Sequence, residues 1–362
     1  MYLKRGVYVN KGGSIVGGIV ILFIGIALLW WNEGNNVRNL QSVSEGMKNY
    51  TDVKSDKIDS KYDKRLVATS GKIVVNSDVT DYEFNISRNS AVLKRTVEMY
   101  QWQEDCEGDE ENKNCTYEKV WSSSLIDSSE FTKSDHDNPT KMAYESETFI
   151  SDDVNLGAFK LTDNLVKKMS AKKRIKELSE DVATAHSMRL ADNYYTTASE
   201  EGANIGDIRI SFYENDAKVV SVLAMQTGDH FKIYKTKKGK NFFNLYEDEY
   251  DGYDMFQMIA KNNNFGKWLF RIVGILCTIL GVSSLFSPIQ NLANKVPVLG
   301  SIVGVATGSV SFVLGLALSL VVIALAWFRF RPLLSIILIV VVVALIVFLK
   351  MQGGKSPSKE SK

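Results

Sequence analysis

The sequence predicts a multi-pass α-helical membrane protein with a large, antiparallel β-rich α+β ectodomain. Three observations lead there: an uncharged apolar run over residues 14–31, three more apolar runs in the C-terminal quarter of the 362 residues, and a segregation of charge along the chain. Thirteen of the 43 Lys and Arg but only two of the 42 Asp and Glu lie outside residues 39–266. A chain of net charge +1 therefore divides into flanks of +11 and a middle of −10. Such a middle is long enough to bury a core of its own.

Residues 1–13, with Lys4, Arg5 and Lys11, read as a cytoplasmic N-terminus, and residues 14–31 (SIVGGIVILFIGIALLWW) as the first span, with Trp30 and Trp31 at the interface. The run ends in Asn32-Glu33-Gly34 and not in a small-residue cleavage site, which favours an uncleaved signal anchor over a signal peptide. The ectodomain occupies residues 32–267. Val37, Leu40 and Val43 carry the first helix on to Gly46, and residues 48–64 read as a linker. Strands follow at 71–75, 91–103 and 117–126, the last two forming a hairpin around an acidic loop, 104–116. Leu161, Leu165, Met169 and Ile175 predict an amphipathic helix over 160–178. Strands recur at 206–212, 218–225 and 230–234, and a last helix at about 250–261. The phrase Gly-x-Ile-x-Val/Ile occurs at both Gly71 and Gly206, as an internal duplication would leave it.

The second span is set at 268–286, with Arg271 in its first turn snorkelling to the interface. Residues 287–306 are a cytoplasmic or interfacial re-entrant segment, 307–328 the third span, 329–332 a short turn, 333–349 the fourth span and 350–362 a cytoplasmic tail. Lysines flanking the first and last spans put both termini in the cytoplasm, although Arg329 and Arg331 then lie on the opposite side, against the usual bias. Gly13 and Gly17, and Gly300, Gly304 and Gly308, recur at four-residue spacing and are candidate helix-packing positions. The competing reading is that glycine is common in membrane helices.

Chemistry-bearing motifs are sparse. Cys106 and Cys115, nine positions apart in the hairpin loop on the extracytoplasmic side, are a disulfide candidate, the alternative being two free thiols in a loop. Cys277 reads as a packing residue. None of His136, His186 and His230 has a ligand partner at metal spacing, and no nucleophile elbow, phosphate loop or dinucleotide fingerprint occurs, so no catalytic residue, metal or cofactor is assigned. The acidic clusters read as solvated loops. The spans carry no buried Asp, Glu or His to mark an ion path, and an acidic ectodomain disfavours nucleic acid as a partner.

A set of phrases recurs in order along the chain: Trp31-Asn32-Glu33-Gly34; Glu98 to Trp102, with Trp121 on the return strand; His136-Asp137-Asn138-Pro139; Gly206 to Phe212; Gln226-x-Gly228-Asp229; Trp268-x-x-Arg271; and Ala326-Trp327-Phe328 with Arg331-Pro332. With one-plus-three spans, this set resembles the transmembrane protein 43 (LUMA) family. The resemblance implies a four-span, non-enzymatic scaffold that organises membrane-protein complexes, self-associates, and contacts membrane lipid and other membrane proteins. It further implies a place in the endoplasmic reticulum or inner nuclear membrane if the source is eukaryotic, and in the cytoplasmic membrane, with the large domain outside, if bacterial. A response to membrane stress fits the same reading. The alternative is an oligomeric channel or transporter subunit. The Cys106–Cys115 loop departs from what the family's animal members lead one to expect.

Overall fold

With no charge and no proline, residues 14–31 fold as helix, and the helix continues well past the apolar run, covering Gly12–Asn49. The computed structural model describes residues 12–108, 113–262, 264–289, 299–328 and 332–353. Among them, in chain order, the α-helices are α1 (Gly12–Asn49), α2 (Asp163–Val166), α3 (Glu180–Ala185), α4 (Gly252–Asn262), α5 (Asn264–Leu285), α6 (Leu299–Trp327) and α7 (Pro332–Gly353). Three stretches of the described residues are long and apolar enough to cross a membrane: Ile15–Asn49, Gly252–Leu285 and Thr307–Trp327. The chain divides into two units: a helical one made of Met1–Glu45, Thr236–Lys240 and Phe256–Lys362, and a β-rich one made of Gly46–Lys235 and Asn241–Met255.

In the helical unit, α1, α5 and α6 meet around Leu29, Val322 and Ile323, with Ile26, Ile275 and Trp327 against them. Their outward faces are apolar too, Phe23 being 67% and Leu280 61% exposed. Buried apolar groups facing one way and exposed ones facing the other suit helices solvated by lipid. The buried hydroxyls of Thr278 and Ser319 bond the carbonyls of Gly274 and Gly315, one turn back, so neither hydroxyl faces the apolar surroundings unpaired.

The close approaches use glycines other than those the four-residue spacing singles out. A Cβ on Gly281 would lie 2.6 Å from the Leu22 backbone, one on Gly274 2.7 Å from Leu29, and one on Gly315 2.6 Å from the Ile279 backbone; Gly17 and Gly308 have nothing within 4 Å. Spacing alone does not say which helical face meets a neighbour. Gly13, Gly300 and Gly304 lie in helices but outside the residues whose surroundings are described. Residues 299–306 continue α6, a single helix from Leu299 to Trp327, where the sequence suggested a re-entrant entry. Gly281→Ala is expected to destabilise the helical unit by about 1–3 kcal/mol, because the clash is with backbone. Gly17→Ala should be near neutral. Heat or SDS unfolding in detergent micelles compares the two.

The β-rich unit holds two larger sheets. The first comprises β1 (Thr51–Asp52), β2 (Leu66–Val75), β8 (Val154–Leu156), β9 (Phe159–Lys160), β14 (Val219–Thr227), β15 (His230–Lys232) and β18 (Asn244–Tyr246). Pairings run from β2 through β8, β9, β15 and β14 and back to β2, so this sheet closes on itself. Its core includes Leu156, Phe159, Leu165, Val220, Val222 and Phe231. The second is built on β5 (Val92–Glu107), flanked by β6 (Asn114–Ser122), β7 (Glu147–Ile150) and β13 (Ile208–Glu214). Beyond β13 lie β10 (Lys173–Arg174), β11 (Arg189–Ala191) and β12 (Tyr194–Thr196). It buries Leu93, Val97, Tyr195, Ile210 and Phe212 with Phe84. Two short hairpins complete the unit: β3 (Val79–Asp81) with β4 (Ile86–Arg88), and β16 (Tyr234–Lys235) with β17 (Asn241–Phe242).

Several sequence expectations need correction here. The amphipathic helix over 160–178 is only the short α2, after which the chain extends into β10. Leu161, Leu165 and Met169 enter the first core and Ile175 the second, so one straight apolar face could not serve both. The hairpin strands reach to Glu107 and Asn114, further into the acidic loop than expected. Residues 48–64 are not merely a linker, since β1 pairs with β2. The two Gly-x-Ile phrases occupy unlike places: Gly71 lies inside β2, whereas Gly206 precedes β13 with φ +94°.

Candidate functional site

Three ends of apolar helical segments converge in the helical unit. Glu33 follows the apolar run of α1, Arg271 opens that of α5, and Trp327 closes α6. Glu33 is fully buried. Its Oε1 accepts from Arg271 Nε at 2.6 Å and lies 2.6 Å from Arg271 Nη2, while its Oε2 accepts from Trp327 Nε1. The Arg271 guanidinium sits 4.7 Å from the Trp268 ring centre and 5.3 Å from that of Trp327. Beside this node, Asn32 Nδ2 donates to the Lys267 carbonyl at 3.1 Å, and Trp31 meets Phe270 edge-on with ring centres 5.8 Å apart.

Burying a carboxylate is costly unless it is paired and hydrogen-bonded, and here both conditions hold. Both oxygens are engaged, so the group acts as a crosslink between three helices and offers no open base for proton transfer. Arg271 does not snorkel outward as the sequence suggested. Its side chain is only 13% exposed because Glu33, on the neighbouring helix, is a nearer counter-charge than water. Neither partner alone signals this role. The readable sign was an acid just after one apolar run and an arginine just inside another.

Next to the node lies a cavity of about 590 Å³ whose walls include Asn36, Gln257, Lys261, Lys267, Trp268 and Arg271. The loop Thr236–Lys240 is tied to α1, with Thr236 Oγ1 donating to Ser42 Oγ at 3.0 Å and Lys237 N donating to the Glu45 carboxylate. Lys240 Nζ is buried without a hydrogen-bond partner among the described residues. Burial, and then the charge of Lys267, lowers its pKa below the ordinary lysine range.

The remaining signature positions sit in the β-rich unit. Trp102 N donates to Asn138 Oδ1 at 2.7 Å, and Asn138 Nδ2 donates to Trp102 O at 2.9 Å and to Ile126 O at 3.3 Å. The Asn138 amide thus stands in for a strand neighbour on the edge of β5, where pairing with β13 runs out at Gly206. Pro139 packs so close to Gly206 that a Cβ there would lie 3.2 Å from Pro139 Cγ. His136 stacks on Tyr117 with ring centres 4.0 Å apart and meets Trp102 edge-on. Gly34 and Pro332 lie in α1 and at the start of α7, and Arg331 falls outside the described residues.

Cys106 and Cys115 are directly opposite in the β5–β6 ladder and joined by a disulfide, with Cα atoms 4.0 Å apart. Glu104 lies close to both sulfurs, but sulfurs joined to each other are not thiolate ligands, so this trio is no metal centre. Reduction is expected to cost the hairpin about 2–3 kcal/mol by the loop-closure argument. Hydrogen exchange of residues 100–120, with and without reductant, measures this.

A second buried charge centre went unread in the sequence. Arg95, 3% exposed, reaches Asp81 at 3.1 Å, Glu83 at 2.5 Å and Glu147 at 3.2 Å, and donates from Nε to the Glu145 carbonyl. Its guanidinium also lies 5.0 Å from the Phe84 ring centre.

The family model described as "Transmembrane protein 43" matches residues 99–332. Transmembrane protein 43 of Mus musculus is 27% identical over 346 residues, covering 90% of this chain and 86% of its own length. The Homo sapiens protein of that name is 26% identical over 351 residues, covering 91% and 87%. The transmembrane protein 43 homolog of Drosophila melanogaster is 26% identical over 339 residues, covering 88% and 89%. No solved structure matches the chain.

Proposed function

Because the chain belongs to the transmembrane protein 43 family, we propose that it serves as a non-enzymatic membrane scaffold, a homo-oligomer that gathers other membrane proteins, with four spans and both termini in the cytoplasm. In this reading the β-rich unit faces the lumen of the endoplasmic reticulum or the perinuclear space in a eukaryote, or the outside of the cytoplasmic membrane in a bacterium. The observation that carries it is the Glu33 node: the buried carboxylate, with both oxygens bonded, ties the ends of three helices together. The Ile-, Leu- and Val-rich helix Pro332–Gly353 supports a fourth span. Maintaining envelope integrity under membrane stress is the task such a scaffold suits.

Two measurements test this reading. Native mass analysis in nanodiscs, with pull-down from the host membrane, is expected to give an oligomer and a reproducible set of membrane partners; a strict monomer with no partner sinks the scaffold. Sequons at Asn49, Asn85 and Asn114 all carry exposed side chains. Expression in a eukaryotic secretory host should therefore glycosylate them, and their lasting absence from the glycosylated fraction would overturn the orientation.

A further inference from the structure

Several features beyond the node invite a reading: the cavity beside it, the Arg95 centre, the aromatic cluster of Trp102, Tyr117 and His136, and the clefts in the β-rich unit. The Arg95 centre is closed by its own carboxylates, and the aromatic cluster packs ring against ring. The cavity in the helical unit differs, because its charge is one-sided.

Of the described residues that wall it, Lys261, Lys267 and Arg271 are cationic and none is acidic. The Glu33 carboxylate of the adjoining node is committed to Arg271 and Trp327. That pairing uses Nε and Nη2 of Arg271, and Nη1 takes no part in it. The amides of Asn36 and Gln257 add neutral donors. The location is equally specific. Trp268 and Trp327 line the same cavity at the ends of apolar helical runs, where tryptophans mark the boundary between hydrocarbon and headgroups. At about 590 Å³ the cavity is the size of a small-molecule site. Cationic side chains grouped along one cavity wall favour an anionic occupant over a neutral or cationic one.

We infer that this cavity binds the phosphate-bearing headgroup of an anionic phospholipid, with Lys261, Lys267 and the outer edge of Arg271 facing the phosphate and Trp268 and Trp327 flanking the glycerol region. The lipid then sits against the three-helix node and joins α4, α5 and α6 from the membrane side. The inference needs a membrane protein but not the scaffold reading, since a monomer without partners would hold the same lipid.

The test uses the full chain in phosphatidylcholine nanodiscs containing phosphatidylglycerol, with retained lipid counted by native mass spectrometry. The wild type is expected to retain phosphatidylglycerol in preference to phosphatidylcholine. Lys261→Gln with Lys267→Gln should weaken that retention roughly thirtyfold, from about 1 kcal/mol per lysine near an anionic headgroup. Lys261→Arg with Lys267→Arg should keep it, as should the surface control Lys232→Gln with Lys235→Gln. Equal retention of the two lipids by the wild type overturns the inference, and so does a control that loses as much as the cavity variant. Displacement of the lipid by millimolar inorganic phosphate also overturns it, by making the site one for a small anion.

Discussion

Glu33→Leu is expected to be the most damaging single change in the helical unit, lowering its stability by about 3–5 kcal/mol, the usual result of removing one partner from a buried ion pair. The loss comes less from the missing bond than from what stays behind. Arg271 is left charged with its side chain 13% exposed, and the Trp327 indole keeps a donor with its acceptor gone. Arg271→Met should cost a similar amount by stranding the Glu33 carboxylate. The decisive variant is the double one. With both charges replaced by apolar side chains, no ion is left uncompensated, so most of the stability should return. Thermal unfolding in nanodiscs, run as a double-mutant cycle, gives the coupling between the two sites. Additive losses would show that Glu33 and Arg271 act independently and would remove the crosslink reading.

The same pair shows what the sequence carries and what it hides. Length and hydropathy suffice to find α1 and the apolar parts of α5 and α6, because a span is a local property of composition. Strand existence in β2, β5, β13 and β14 follows likewise from short runs rich in apolar and β-branched residues, alternating in β5. Pairings between distant residues do not. Glu33 and Arg271 are 238 positions apart; Arg271 alone reads as a charge that snorkels to the interface, and Glu33 alone as the polar end of the first apolar run. The helix expected over 160–178 fails for the same reason: its apolar residues look like one face, and only the fold assigns them to two cores. The glycines fail in the opposite sense. Gly17 and Gly308 fit the spacing rule yet face open space, whereas Gly25, Gly274 and Gly281 meet a neighbouring helix. Asn138 reads from the sequence as a turn residue before proline, and its pairing with the Trp102 backbone depends on an edge of β5 that only the sheet creates.

Arg95→Leu should be the corresponding blow to the β-rich unit, again about 3–5 kcal/mol at neutral pH. Arg95 is the cation that compensates Asp81, which is fully buried and whose Oδ1 also receives the Glu83 and Phe84 amides at the β3–β4 turn. Glu83 and Glu147, near half exposed, keep their contact with water when the arginine goes, whereas Asp81 does not. The effect has a characteristic pH dependence. Burial already pushes the Asp81 carboxyl above the ordinary aspartate range, outweighing the downward pull of Arg95. A carboxyl whose folded pKa is raised holds its proton more tightly in the fold than in the open chain. Its contribution to stability is therefore greatest below the unfolded value, about 3.9, and is lost as pH rises through the folded one. Without Arg95 the folded value rises further, so the deficit of the variant against wild type should be largest at pH 7 and shrink steadily on acidification toward the unfolded aspartate value. Urea titration of both proteins across that range follows the difference and cancels the titration of groups they share. A deficit independent of pH would assign the loss to the hydrogen bond with Glu145 and the packing on Phe84, and not to an uncompensated Asp81 charge.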